Sequence, residues 1–215
     1  SQKSRCTLSL SLSLSKFTGI VAKYAYHRHG VSPKIRLDIV DLSAKISTQY
    51  GYQIWYKKTK ASSKVQLDRA YYRAIRAAIG MFKTSSTIKT LALTGRISLS
   101  NQLNILLQTN PLPKKDRKKA SKIAFENAYN TLINTISDER LKDFCSKITK
   151  RNPPDIYTCR ILSGHFPSKL YLNRFGRAQS PLCECGQLQT LDHLTICPNF
   201  DAINIADVVA GNDGW

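Results

Sequence analysis

The segment that most restricts this chain is Cys183-Glu-Cys185-Gly-Gln-Leu-Gln-Thr-Leu-Asp-His193-Leu-Thr-Ile-Cys197. It sets three thiols and one imidazole in the spacing C-x-C-x7-H-x3-C. Zinc takes four soft or borderline ligands in a tetrahedron, and thiolates with an imidazole supply them. Gly186, directly after the second thiol, suits a tight turn because glycine adopts positive φ without steric cost. His193 and Cys197 are four apart, the spacing that sets two side chains on one face of a helix. The pattern therefore predicts a knuckle carrying Cys183 and Cys185, then a short helix carrying His193 and Cys197, with zinc as the cofactor. Two disulfides, or cysteines that are simply buried, are the competing readings. Two thiols one residue apart rarely bridge to each other, and the absence of a secretory signal pattern favours reduced thiols. Cys6, Cys145 and Cys159 stand outside the metal spacing and read as reduced structural residues.

Charge is the second constraint. Among 215 residues, 33 are Lys or Arg and 14 are Asp or Glu, a formal net charge of +19. Apolar residues make up 42%, enough to bury a core, so this is not a disordered basic tail. An excess of this size in a folding chain points to a polyanionic partner, with nucleic acid first and an anionic membrane surface second. No apolar run is long enough to span a bilayer, so a membrane protein is not expected.

Periodicity predicts a mainly α fold: a multi-helix bundle followed by a small zinc-knuckle lobe. The alternation over residues 7–15 allows one short N-terminal strand. Phe17, Ile20, Val21 and Tyr24 then fall on one helical face, ended by Gly30. Ser32-Pro33 reads as a cap with proline at the first helical position, and Ile35, Ile39, Leu42 and Ile46 form the following stripe. Gly51 interrupts, and Trp55 closes that segment. Leu67, Tyr71, Ile75, Ala78 and Phe82 are predicted to face inward on the next helix, with Arg69, Arg73 and Arg76 on its other faces. Short helices follow over 88–94 and from Leu99 to Leu107. Asn110-Pro-Leu-Pro113 breaks the chain. A helix marked by Ile123, Ala124, Ala128, Leu132 and Ile136 comes next, then one capped by Ser137 with Leu141, Phe144, Cys145 and Ile148 inward. Asn152-Pro-Pro154 ends it.

Two regions gather positive charge. Residues 111–122 hold six bases, Lys114, Lys115, Arg117, Lys118, Lys119 and Lys122, against one acid. From Cys159 to Ser180 there is no acid, and Arg160, Lys169, Arg174 and Arg177 alternate with His165, Phe166, Tyr171 and Phe175. Cations interleaved with aromatics suit a surface that grips phosphates and stacks on bases. The bland readings are a solvated linker helix for the first region and helix-core aromatics over Pro167–Phe175 for the second. A Cys159–His165 catalytic pair is a weak alternative, since no third group orients it. His27 and His29 read as surface residues.

Several short motifs, in order, resemble one family. They are Tyr50-Gly51 through Trp55, Arg73 through Thr87, Pro111 to Asn134, Ile161-Leu-Ser-Gly-His165, Tyr171-Leu-Asn-Arg-Phe-Gly176, Ser180-Pro-Leu-Cys-Glu-Cys-Gly186, Thr190-Leu-Asp-His193-Leu and Cys197-Pro198, with Ala206 onward. Over roughly 16–215 they resemble the region after the polymerase in non-LTR retrotransposon reverse transcriptases, of the R1-like and jockey-like groups. The resemblance implies a helical thumb-like domain over 1–110, a basic helical linker over 111–154 and a zinc-knuckle lobe over 155–215. It also implies a nuclear, intracellular protein that contacts RNA or DNA, with Cys183, Cys185, His193 and Cys197 as the metal ligands. The His-x3-Cys spacing is one residue shorter than the family's usual His-x4-Cys. No Asp-Asp pair occurs in the sequence, whereas metal-assisted nucleotidyl transfer needs clustered carboxylates. The chain is therefore expected to be a C-terminal piece of such an element with no polymerase site of its own. Two alternatives stand beside this: a thumb active only with a separate reverse-transcriptase palm, and a non-catalytic helical module that binds another protein.

Overall fold

The computed structural model describes residues 31–147, 154–194 and 196–199. The alternating segment at 7–15, the helix expected from Phe17 to Tyr24, His27, His29, Cys6, Ile148 and the segment from Ala206 lie outside the described residues. Among the described residues the fold is mainly α-helical, with ten helices. Leu182 and Leu188 form an antiparallel β-bridge. The chain divides into two compact units, Ser1–Ile156 and Tyr157–Trp215. No described helix is long and apolar enough to cross a membrane.

The first unit holds α1 (Pro33–Gln49), α2 (Tyr52–Trp55), α3 (Ala61–Ala78), α4 (Thr87–Leu93), α5 (Leu99–Thr109), α6 (Lys114–Asn134) and α7 (Glu139–Lys147). The breaks follow local chemistry. Ser32 caps α1, its hydroxyl accepting from the Ile35 amide at 3.4 Å, with Pro33 in the first turn. Gly51 turns the chain at φ 61° between α1 and α2. Ser98 caps α5 by accepting from the Asn101 amide at 3.1 Å. Asp138, next to the expected Ser137, accepts from the Leu141 amide at 3.3 Å at the start of α7.

Helix α3 is central and packs on α1, α4 and α5, while α6 lies along α4 and α5 and carries α7. Leu67, Tyr71, Ile75 and Ala78 of α3 are buried as the periodicity predicts, but the helix ends at Ala78, and Phe82, also expected inward on it, is half-buried beyond its end. Helix α1 behaves differently. Its expected stripe is exposed, with Ile35 at 50%, Leu42 at 58% and Ile46 at 69%, and the buried face is Leu37, Val40 and Ala44. The physical reason is Asp41, which shares the inward side. Its carboxylate accepts from the Arg96 guanidinium at 3.1 and 3.2 Å through Nε and pairs with an Nη at 2.9 Å. It also accepts from the Tyr71 hydroxyl at 2.7 Å. Arg96 is 1% exposed, and a second Nη donates to the Thr94 carbonyl at 2.7 Å. Gln102 extends the network to Tyr71 Oη and the Ile97 carbonyl, both at 3.1 Å. A guanidinium this deep cannot stay unpaired, so the network decides which face of α1 turns in.

Two further tyrosines and one aspartate fasten the bundle. Asp68 of α3 accepts from the Ser100 amide at 2.8 Å, closing the first turn of α5, and burial raises its pKa. Tyr56 donates to the Ser100 carbonyl at 3.0 Å. Tyr129 of α6 donates to the Ala92 carbonyl at 2.7 Å, which places Tyr129 on the inner side of α6 while Ile123 is 48% exposed.

Cutting the network from one side leaves a buried charge. Arg96→Ala and Asp41→Asn are each expected to cost about 3–5 kcal/mol in urea unfolding. The face of α1 is tested by a pair of variants. Leu37→Ala is expected to cost about 2–5 kcal/mol, whereas Ile46→Ala stays within about 0.5 kcal/mol.

Candidate metal centre and cationic surfaces

In the second unit, α8 (Ile156–Ser163) enters across the unit boundary, followed by α9 (Lys169–Asn173) and α10 (Leu191–Leu194). The knuckle forms between α9 and α10. Cys183 donates its amide to the Gln187 carbonyl at 2.7 Å, and Gly186 returns its amide to the Cys183 carbonyl at 2.9 Å. This tight return needs φ 88° at Gly186, a conformation that side chains with Cβ rarely adopt. Thr190 caps α10, its hydroxyl oxygen accepting from the His193 amide at 3.0 Å. Helix α10 ends at Leu194, so Cys197 reaches the site from the turn after the helix, contrary to the expectation that the helix carries both ligands. Pro198 keeps Cys197 itself out of a helix, because a proline disfavours helical backbone in the residue before it.

These elements bring Cys183, Cys185, His193 and Cys197 together, with their ligand atoms all within 4.8 Å of one another. Cys183 Sγ lies 3.6 Å from Cys197 Sγ, and Cys185 Sγ lies 3.1 Å from His193 Nε2. A disulfide needs ~2.05 Å between sulfurs, and every described cysteine is free. A tetrahedral ion with metal–sulfur bonds of ~2.3 Å sets its ligand atoms about 3.5–3.8 Å apart. The Cys183–Cys197 separation falls on that edge length and the Cys185–His193 separation lies a little below it, so these four residues could hold a metal ion.

The electrostatics agree with an ion's place. The Cys185 backbone N–H pulls the Cys183 thiol down to about 6, helped by His193 and the other two cysteines and opposed by burial. Burial and the neighbouring Cys183 raise Cys197 instead. Three sulfurs this close cannot all be thiolates without a counter-charge, and a divalent cation supplies it. Gln189, which the sequence reading did not single out, supports the site. It is buried, its Oε1 accepts from the Lys169 amide at 2.7 Å, and its Nε2 lies 3.9 Å from Cys183 Sγ. It thus joins the knuckle to the first turn of α9. A lone glutamine between Leu188 and Thr190 carries no pattern that marks this role.

The candidate nucleic-acid contacts fall in both units, each on its own. On the first turns of α6, Lys114, Lys115, Arg117, Lys118 and Lys119 are all exposed. Arg117 donates to the Asn110 and Leu112 carbonyls at 2.8 and 3.2 Å, so it also closes the preceding turn. Among the described residues, no ion pair within 4.0 Å involves Lys114, Lys115, Lys118 or Lys119. In the second unit Arg174 and Arg177 are exposed, Arg160 is half-buried, and Lys169 Nζ lies 3.8 Å from Glu184. His165 Nδ1 lies 3.0 Å from the Ser163 carbonyl. The aromatics there do not form a buried helix core. Phe166 and Tyr171 are half-buried, Phe175 is 56% exposed, and no residue of α9 is buried.

Comparison with protein-family models, with curated proteins and with solved structures finds no match to this chain.

A metal at this cluster should stabilise the lobe and be lost with its ligands. The purified chain is expected to hold one equivalent by elemental analysis, and Cys185→Ser or His193→Ala to hold none. Chelation is expected to shift a thermal melt downward, with unchanged melting before and after chelator as the contrary result.

Proposed function

We propose that this chain is a nucleic-acid-binding module of the kind that follows the polymerase in non-LTR retrotransposon reverse transcriptases, with a structural zinc at Cys183, Cys185, His193 and Cys197. Zinc is favoured over other ions because three thiolates and one imidazole form a closed tetrahedral set with no open position for substrate. The nucleus is the compartment this reading implies. The observation that carries it is the run of exposed lysines on α6 without acidic partners, in a chain of net charge +19. Such a run raises the local positive potential. Its contact with a phosphate backbone releases condensed counterions, the main source of sequence-independent affinity.

Salt response tests this directly. Anisotropy of a labelled oligonucleotide is expected to show affinity falling steeply between 50 and 200 mM salt, roughly as the number of phosphates contacted. Lys118→Ala and Lys119→Ala should each reduce the slope by about one, and an affinity flat with salt would contradict the proposal.

One observation favours a second reading, a helical module that packs on protein. Ile35, Ile39, Leu42 and Ile46 make an exposed apolar line along α1, and Ile54 beyond it is 72% exposed. Self-association that persists in high salt would support that reading.

A further inference from the structure

The second unit carries one feature that neither the metal cluster nor the lysine run uses. A pocket of about 370 Å³ opens between the start of α9 and the start of α10. Phe166, Leu170, Tyr171 and Arg174 form one wall, and Thr190 and Leu191 form the other. We propose that this pocket receives one unpaired base of a single-stranded nucleic acid, with Arg174 on the adjoining phosphate.

The walls define the ligand's chemistry. They are aromatic and aliphatic, and half-buried apart from Arg174, so they accept a flat apolar face. Tyr171 is braced on two sides, its ring centroid 5.1 Å from Phe175 and 5.8 Å from His165, which makes a stiff aromatic ledge. Thr190 supplies a polar edge. Its oxygen already accepts from the His193 amide, and its own O–H retains a proton to donate. Arg174 sits at the rim, exposed, and among the described residues it is in no ion pair within 4.0 Å. An aromatic ledge, a hydroxyl and a rim guanidinium are the groups that take a base and its phosphate.

Size and charge narrow the occupant further. The volume lies near the small end of the ligand-pocket range of ~300–1,000 Å³, which suits one nucleotide and is too small for a helix. No acid occurs from Cys159 to Ser180, whereas Asp192 follows Leu191 on the other side, so an anionic chain is expected to run along the Arg174 wall. A base inside a duplex is stacked and paired and cannot enter, so the site selects single strands. The wall formed by Thr190 and Leu191 leads directly into His193, so the metal ligands also fix this side of the pocket.

This inference rests on the nucleic-acid reading, and the experiment separates the two. The full zinc-loaded chain is titrated into a labelled 12-nucleotide single strand and into a hairpin duplex of the same sequence, at one salt concentration. Leu191→Trp fills the pocket, and Arg174→Ala removes the rim cation. Leu191→Trp should weaken the single strand about tenfold or more, the scale of one stacked base, and leave the duplex within about twofold, while Arg174→Ala should weaken the single strand by more than it weakens the duplex. A strand carrying 2-aminopurine should lose fluorescence on binding the unaltered chain, a readout that needs no variant. Leu191→Phe serves in place of Leu191→Trp should the latter melt early. Single-strand affinity equal in all variants, with no change in 2-aminopurine signal, overturns the pocket while the general binding reading stands. Binding of a short acidic aromatic peptide that Leu191→Trp abolishes, with single-strand affinity equal in all variants, overturns it in favour of a protein ligand. No binding of either nucleic acid removes both proposals together.

Discussion

Few apolar side chains are fully buried among the described residues of the second unit. Among its described residues the buried apolar set is Cys159, Cys183, Cys197 and Leu194, so three of the four are thiols and one is a branched aliphatic. The other buried side chains there include Thr158, Ser163, Ser168, Gln189 and His193. So small a fully buried apolar set contributes little by hydrophobic burial, which at roughly 25 cal/mol per Å² needs large apolar surfaces. What remains is the convergence of three sulfurs and one imidazole. A metal bound there would turn that convergence from a repulsive cluster into the strongest link of the lobe. The turn at Gly186, the Thr190 cap and the Gln189 bridge to α9 all serve to bring these four groups to one point.

The first unit solves the same problem by other means. It has an ordinary aliphatic interior, with Leu67, Ile75, Ile79, Leu93, Ile97 and Leu103 each at most 1% exposed. At its centre lies a charged network instead of a metal. Arg96, Asp41, Tyr71 and Gln102 join α1, α3, α5 and the loop between α4 and α5. A buried ion pair adds little net stability over a well-packed apolar substitute, but losing one partner is costly. Its effect here is on arrangement: it selects the face of α1 that packs, and so leaves Ile35, Ile39, Leu42 and Ile46 outside.

Helix limits and the ligand set could be read from the residues, because both depend on local chemistry. Ser32-Pro33, Gly51 and Pro111-Leu-Pro113 act on their own backbone, whatever the rest of the chain does. The inward stripe of α3 was legible for a related reason: only one of its faces is apolar. Helix α1 has apolar residues on two faces, and nothing local chooses between them. The choice comes from Arg96, 55 residues after Asp41, which looks like any other surface arginine until it is seen buried. The same holds on α6, where Tyr129 reaches the Ala92 carbonyl and displaces Ile123 from the inner side. At the metal cluster the residues were legible and the backbone between them was not. The helix was expected to run from His193 to Cys197; it ends at Leu194, and Cys197, before Pro198, lies in the turn beyond it.

The cations and the cluster belong to one account only if the cluster is a metal site, because the lobe bearing Arg174, Arg177 and the aromatic ledge has little else to shape it. X-ray absorption at the zinc edge, on the chain purified with its bound metal, tests this most directly. The account requires a four-coordinate first shell of three sulfurs at ~2.3 Å and one nitrogen at ~2.0 Å. A shell dominated by oxygen or nitrogen, or a chain that carries no zinc and keeps the same fold, would contradict it.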